Sequence, residues 1–262
     1  MKNIPSWQGS IVDDSVVNHR FYGRQGGVST GFFSSLNTSF SKPDTAEKVF
    51  ENRSKIAEDS GVPIHQFIWM HQTHSSKVQT IDSTTDLMKM VKESPMADAL
   101  VTNIPEIALC VQTADCIPIL MVDEKNKVIA ALHGGWKGVL SGVIQNTLQS
   151  MQHLGADINQ TKAIIGPCIH QDSYEVDSTF RDRHIAEDSF SHSFFNLGNR
   201  GKYQFDLPGY AMHILKQTGI TVVENINLNT YNNPELFFSC RKAFHNDESA
   251  FGNQTAFIAL QP

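Results

Sequence analysis

This chain of 262 residues carries only four cysteines, Cys110, Cys116, Cys168 and Cys240, scattered along its length. That is not the spacing of a small secreted disulfide scaffold, so reduced thiols are expected. There is no His-x-His pair, and a multi-copper cluster therefore has little visible support. No uninterrupted apolar stretch reaches the roughly 18 residues that a membrane helix requires. Basic charge is in deficit: 21 Lys and Arg against 27 Asp and Glu give a net charge of −6, and no basic run offsets it. A binder of the nucleic-acid backbone needs the opposite balance, so nucleic acid is not an expected partner. Residues 1–7 lack an apolar core and a small-residue cleavage site, and no secretory leader is expected there. No repeat, low-complexity tract or Pro/Gly/Ser-rich linker divides the chain. The expectation is a cytoplasmic protein with one domain, residues 1–262.

Hydrophobic residues make up 40% of the chain, and at this length they can form a full core without a disulfide or metal staple. Ala46 to Ser60 has helical spacing (Val49, Phe50, Ile56, Ala57) and stops at Gly61-Val62-Pro63. Short apolar runs predict strands at 66–70, 107–112, 117–122 and 128–132, with more near 163–165, 221–223 and 255–260. A helix is expected after His133-Gly134-Gly135-Trp136, with Val139, Leu140, Val143, Ile144, Leu148 and Met151 on one face and Gly155 as its stop. Another runs from about Pro208 to Gly219, with Pro near the start and Gly past the end. Strands intermixed with helices predict an α/β fold, a mixed sheet covered by helices on both faces.

The richest chemistry lies between Asp115 and His133. Asp123-Glu124-Lys125-Asn126 separates two apolar runs and suits a four-residue hairpin loop opened by Asp. Pairing Val122 with Lys127 sets Cys116 directly opposite His133, where Cβ atoms lie ~4.5–5.5 Å apart. That is close enough for one metal ion or for a thiol–imidazole hydrogen bond, and a one-residue slip would separate the two. Cys110, Cys168 and Cys240 read as small buried hydrophobes. Catalytic zinc takes three protein ligands and keeps a position open; the residues leave His74 and His71 as competing third ligands. His19, His65, His153, His170, His184, His192, His213 and His245 read as solvated or singly satisfied. Arg24, within Gly23-Arg24-Gln25-Gly26-Gly27-Val28-Ser29, is either an anion clamp or a solvated residue in a Gly-rich turn. Arg241 is a second anion candidate. Asp98 can orient a ligand, serve as a base, or cap a turn.

Several of these segments, in their order, resemble one family. They are Arg24-Gln25-Gly26-Gly27-Val28-Ser29, Gln72-Thr73-His74, Ala97-Asp98-Ala99-Leu100, Ala114-Asp115-Cys116-Ile117-Pro118, His133-Gly134-Gly135-Trp136-Lys137-Gly138, Gly166-Pro167-Cys168-Ile169 and Tyr174-Glu175-Val176. Together they resemble the YfiH family, from about Asn18 to Leu260. Its members have been called polyphenol oxidases (laccase-domain proteins) and purine nucleoside phosphorylases. The resemblance implies a three-layer α/β/α sandwich with a mixed sheet, similar to the catalytic domain of cytotoxic necrotizing factor. It implies a zinc site on His74, Cys116 and His133, which selects His74 over His71. Departures are Thr73 and Ser75 around the first ligand, Gly134 after the second His, and Asn253 where the family tends to carry Arg.

The function implied is a zinc-dependent purine nucleoside phosphorylase acting on adenosine, inosine and S-methyl-5′-thioadenosine, with adenosine deamination as a second activity. Cys116 and His133 would sit at the reacting centre, Arg24 would hold phosphate, and Asp98 would orient a ligand or act as base. Its partners would be a small-molecule nucleoside and phosphate, with no nucleic acid and no membrane; a homodimer is left open. Three other functions are compatible with the same residues. They are a cysteine-type amide hydrolase editing cell-wall peptide precursors, a polyphenol oxidase using copper (Cu2+) in place of Zn2+, and a non-enzymatic zinc-binding protein.

Overall fold

The computed structural model describes residues 4–262, so the first three residues of the segment read for a leader lie outside it. The strands Ile117–Asp123 and Val128–Gly134 form the expected hairpin, and all their residues are buried. Apolar runs without alternation are what strands covered on both faces require. The turn begins one residue later than expected. Asp123 stays in the strand, and its carboxylate accepts from the Asn126 N–H at 3.1 Å, the Asn126 amide at 2.7 Å and the Asp157 N–H at 2.7 Å. The loop is residues 124–127, closed by Lys127 in the left-handed region at φ 52°. Val122 therefore pairs with Ile129 instead of Lys127, and His133 faces Pro118 instead of Cys116. A shift of two residues (129 − 127 = 2) preserves the side-chain period, so Cys116 and His133 keep a common face.

The hairpin is the middle of a six-stranded sheet. Its order is Val222–Asn225, Lys162–Ile165, Ile117–Asp123, Val128–Gly134, Ala99–Thr102, Val78–Ile81, with the outermost pair at each end parallel and the inner pairs antiparallel. A five-stranded sheet runs Ser6–Trp7, Val17–Tyr22, Gln254–Leu260, Ala108–Thr113, Phe67–Ile68, with its last pair alone parallel. Alternate hairpin residues Leu120, Val122, Ile129 and Ala131 pack with Leu109, Val111, Ala256 and Ile258 of this second sheet. Their neighbours Ile119, Met121, Ala130 and Leu132 pack the other way. They meet Ile144, Leu148 and Met151 of the helix Val143–His153, and Ala211, Ile214 and Leu215 of the helix Leu207–Gln217. Beyond the second sheet, Cys110 and Phe257 pack with Ile56 and Ala57 of the helix Ala46–Ser60. This is the mixed α/β architecture expected, with helices on both outer faces; the strands between them form two packed sheets where one was expected. Each fully buried Leu, Ile or Phe side chain contributes roughly 1.5–3 kcal/mol.

Three local expectations are corrected. The single helix after Trp136 is two, Trp136–Leu140 and Val143–His153, broken at Gly142 with φ 90°. The apolar spacing runs through the break because Val139 and Val143 join the same core. All four cysteines are free; burial pushes the thiols of Cys110 and Cys168 well up, but Cys240 is exposed at the start of the helix Cys240–His245. His19 and His184 are wholly buried instead of solvated, each with one ring nitrogen hydrogen-bonded and the other lacking a partner. Among the described residues, no helix is long and apolar enough to cross a membrane.

Candidate metal centre

Cys116 sits in a bend just before the strand Ile117–Asp123. The bend spans residues 114–116 and turns at Asp115, whose φ is 87°. The buried Asp115 carboxylate holds it, accepting from the Thr230 hydroxyl at 2.7 Å and from the Arg241 N–H at 2.6 Å. His133 is 3% exposed near the end of the strand Val128–Gly134. His74 follows the strand Phe67–Ile68 in a loop, with φ 58°. The structure brings these three side chains together: their ligand atoms all lie within 4.8 Å of one another. His74 Nε2 is 3.8 Å from Cys116 Sγ. A tetrahedral zinc ion with ordinary bond lengths sets S and N ~3.6 Å apart, so the donor set and spacing fit such an ion. His71 stands outside the group; it bridges to Met96 and lines an adjoining cavity. Glycine at 135 makes room for the ring of His74, because a Cβ there would lie 2.6 Å from His74 Cδ2.

Asp98, fully buried, organises two of the three ligands. Its Oδ1 accepts from His133 Nδ1 at 2.9 Å and the His74 N–H at 3.0 Å. Its Oδ2 accepts from the Ser75 N–H at 2.7 Å, the Ser75 hydroxyl at 2.6 Å and the Thr73 N–H at 3.2 Å. Occupied on both oxygens and lining neither cavity, Asp98 stands behind His133 and not where a base would meet substrate. Burial alone would raise its pKa, but the hydrogen bonds from His133 and Ser75 hold it far below the usual carboxylate range. The bond to Nδ1 leaves His133 Nε2 facing Cys116 and His74. Burial would likewise raise the Cys116 thiol, yet the His133 and His74 imidazoles bring it down to about 6. His133 is pushed up to about 9, against its burial, by Cys116 and Asp98.

Two cavities meet at this group, both lined by Ala114, Cys116 and Cys240. The larger, about 590 Å³, has aromatic walls from Trp136, Tyr174, Phe180 and Phe244, with Arg241 and Lys202 as its cations and His245 beside them. Arg241 is held there: its Nη1 donates to the Glu175 carbonyl at 2.6 Å. The smaller, about 330 Å³, is polar and also holds His74, His133, Lys42, Arg53 and Asn253. Arg241 is among the residues that the sequence singles out; Lys42 and Arg53 are not, and no motif marks them. Arg53 falls within the apolar stripe of its helix, four residues after Val49 and three before Ile56, and the fold lays it 3.7 Å from the Trp69 ring.

Arg24 is not brought to the site. Its Nε and Nη1 donate to the carbonyls of Ser34 and Pro234 at 2.8 and 2.9 Å, and it lies 4.5 Å over the ring of Phe238. It lines neither cavity. The surrounding glycines serve close packing, since a Cβ at Gly23 or Gly27 would collide with the carbonyl oxygen of Leu236 or Ser35. The turn, not the anion clamp, accounts for the motif.

Fold and site together define a mixed α/β protein with a His–Cys–His group able to hold a metal ion between two cavities. A family model described as multi-copper polyphenol oxidoreductase laccase matches residues 18–261, and the chain belongs to this family, the YfiH family. A purine nucleoside phosphorylase of Rickettsia conorii is 31% identical over 215 residues, 82% of this chain and 85% of that protein. One from Bacteroides thetaiotaomicron is 31% identical over 242 residues, 89% of each. Among solved structures, a Neisseria meningitidis protein matches with a TM-score of 0.87 and 30% identity over 100% of both chains. Bacillus licheniformis YfiH matches with a TM-score of 0.84 and 26% identity, over 94% of this chain and 93% of that one.

Proposed function

We propose that this protein is a zinc-dependent purine nucleoside phosphorylase. It converts adenosine, inosine and S-methyl-5′-thioadenosine to the free base and the sugar 1-phosphate, with deamination of adenosine as a second activity. The observation that carries this is Cys116 opening to both an aromatic and a polar cavity; the names of the relatives support it. One thiol and two imidazoles with an open side suit catalytic zinc. Zinc held by His74, Cys116 and His133 would supply Lewis acidity where the cavities meet. Copper is the alternative ion for the same donors.

The chain's own residues do the rest. The larger cavity lies in the ~300–1,000 Å³ range of small-molecule sites. The rings of Trp136, Tyr174 and Phe180 offer faces for a purine and exclude water. Asp98 is a positioning residue: by accepting from His133 Nδ1 it directs Nε2 toward Cys116 and His74. In phosphorolysis a phosphate oxygen bonds to C1′ as the C1′–N9 bond breaks. The electron pair passes to the base, which takes up the proton that phosphate gives up. In deamination water adds at C6 and ammonia leaves. We place this chemistry in one catalytic unit, residues 1–262, in the cytoplasm.

The test is incubation of the metal-analysed protein and its Cys116→Ala variant with adenosine and phosphate, with the products separated by chromatography. Adenine and ribose 1-phosphate from the parent alone are expected. Untouched adenosine with folded, zinc-loaded parent protein would overturn the proposal. A second function has one observation in its favour: the Cys116 thiol opens to both cavities beside an imidazole oriented by a buried carboxylate, a nucleophile–base–orienter series. A cysteine-type amide hydrolase of this kind would lose activity to thiol alkylation and keep it in the presence of chelators.

A further inference from the structure

The smaller cavity has an unusual charge balance. Lys42 and Arg53 both line it, and no Asp or Glu does. Among the described residues, neither cation has a carboxylate within salt-bridge distance, although both are withdrawn from full solvent. Lys42 Nζ lies 3.5 Å over the ring of Phe251. The Arg53 guanidinium is held between the rings of Phe40 and Trp69, at 4.4 and 3.7 Å, and spends Nε on the Thr38 carbonyl at 2.8 Å. That fixes its plane and leaves its terminal nitrogens free of protein acceptors. Desolvated cations without a carboxylate partner are costly, and an anion is the partner that removes the cost.

We infer that this polar cavity is a site for inorganic phosphate, held by Lys42 and Arg53. The inference rests on the phosphorylase proposal for its purpose but not for its geometry. Because the two cavities share Ala114, Cys116 and Cys240, phosphate here and a nucleoside in the aromatic cavity occupy adjoining spaces, as attack at C1′ requires. The phosphate contact expected of Arg24 as an anion clamp is thereby given to Lys42 and Arg53.

The experiment is titration of the metal-loaded protein with inorganic phosphate and, separately, with adenosine, followed by calorimetry and phosphorus NMR. Lys42→Gln is expected to weaken phosphate binding at least tenfold, with adenosine affinity within about twofold of the parent and phosphate affinity restored in Lys42→Arg. Phosphate and adenosine are expected to bind together. Unchanged phosphate affinity in Lys42→Gln, an equal loss for adenosine, or competition between the two ligands would overturn the assignment. The outcomes separate the two proposals. Lys42-dependent phosphate binding without any ribose 1-phosphate would sink the phosphorylase and leave the site. Ribose 1-phosphate formed with phosphate affinity indifferent to Lys42 would do the reverse.

Discussion

Replacing Asp98 by Asn changes one atom and tests how the ligand group is built. In the parent every hydrogen bond to the carboxylate comes from a donor: His133 Nδ1 and the His74 N–H on one oxygen, Ser75 and Thr73 on the other. The less costly orientation of the amide leaves its oxygen toward Ser75 and Thr73 and turns its NH₂ toward His74 and His133. The His74 N–H is then a buried donor facing a donor, which costs about 1–3 kcal/mol. Facing the NH₂, His133 Nδ1 can only accept, so the ring proton moves to Nε2, the nitrogen that must be bare to hold a metal ion. Losing such an outer partner typically weakens metal binding 10–100-fold, or about 1.4–2.7 kcal/mol. The assay is competition for zinc with a chromogenic chelator, with urea unfolding to measure the stability loss and nitrogen NMR to read the His133 tautomer. A folded Asp98→Asn protein that binds zinc as tightly as the parent would refute this account of Asp98.

Two further outcomes follow from the packing. Gly135→Ala places a methyl against the His74 ring, 2.6 Å from Cδ2, so the ring must swing away. A roughly tenfold loss of zinc affinity is expected, and unchanged affinity would show that the loop yields instead. The second outcome concerns acid. Burial lowers the pKa of His19 and of His184 below 6.5, so the unfolded chain takes up their protons first. Their contribution is intact above about pH 6.5 and is lost as pH falls from there toward their lower folded values, by up to about 1.4 kcal/mol per pH unit each. Urea midpoints at pH 7 and 5.5 check this. In His19→Gln, where the amide oxygen can accept the Gly9 N–H as His19 Nε2 does at 2.9 Å, the fall between the two pH values is expected to shrink. An equal fall would count against the buried imidazole as its source.

Much of the molecule could be read from its sequence, because its information is local. The helix Ala46–Ser60 is announced by apolar residues at helical spacing and by a glycine that can take φ 73°. The central hairpin is announced by two apolar runs around a polar loop, and its residues are apolar throughout because sheet and helices cover both faces. Period two also preserved the common face of Cys116 and His133 when the turn moved by one residue and the pairing by two. What the sequence could not decide depends on atoms that meet only after folding. His74 and His71 are equivalent as residues; the left-handed loop that Asp98 gathers through residues 73–75 is what aims His74 at Cys116. Arg24 among glycines looks like an anion clamp until the carbonyls of Ser34 and Pro234 are found on its nitrogens. Lys42 and Arg53 show no motif, and only the fold leaves them facing a cavity without a carboxylate. Periodicity reports which face a side chain takes, whereas charge compensation and ligand aim are sums over distant neighbours, which only the tertiary structure supplies.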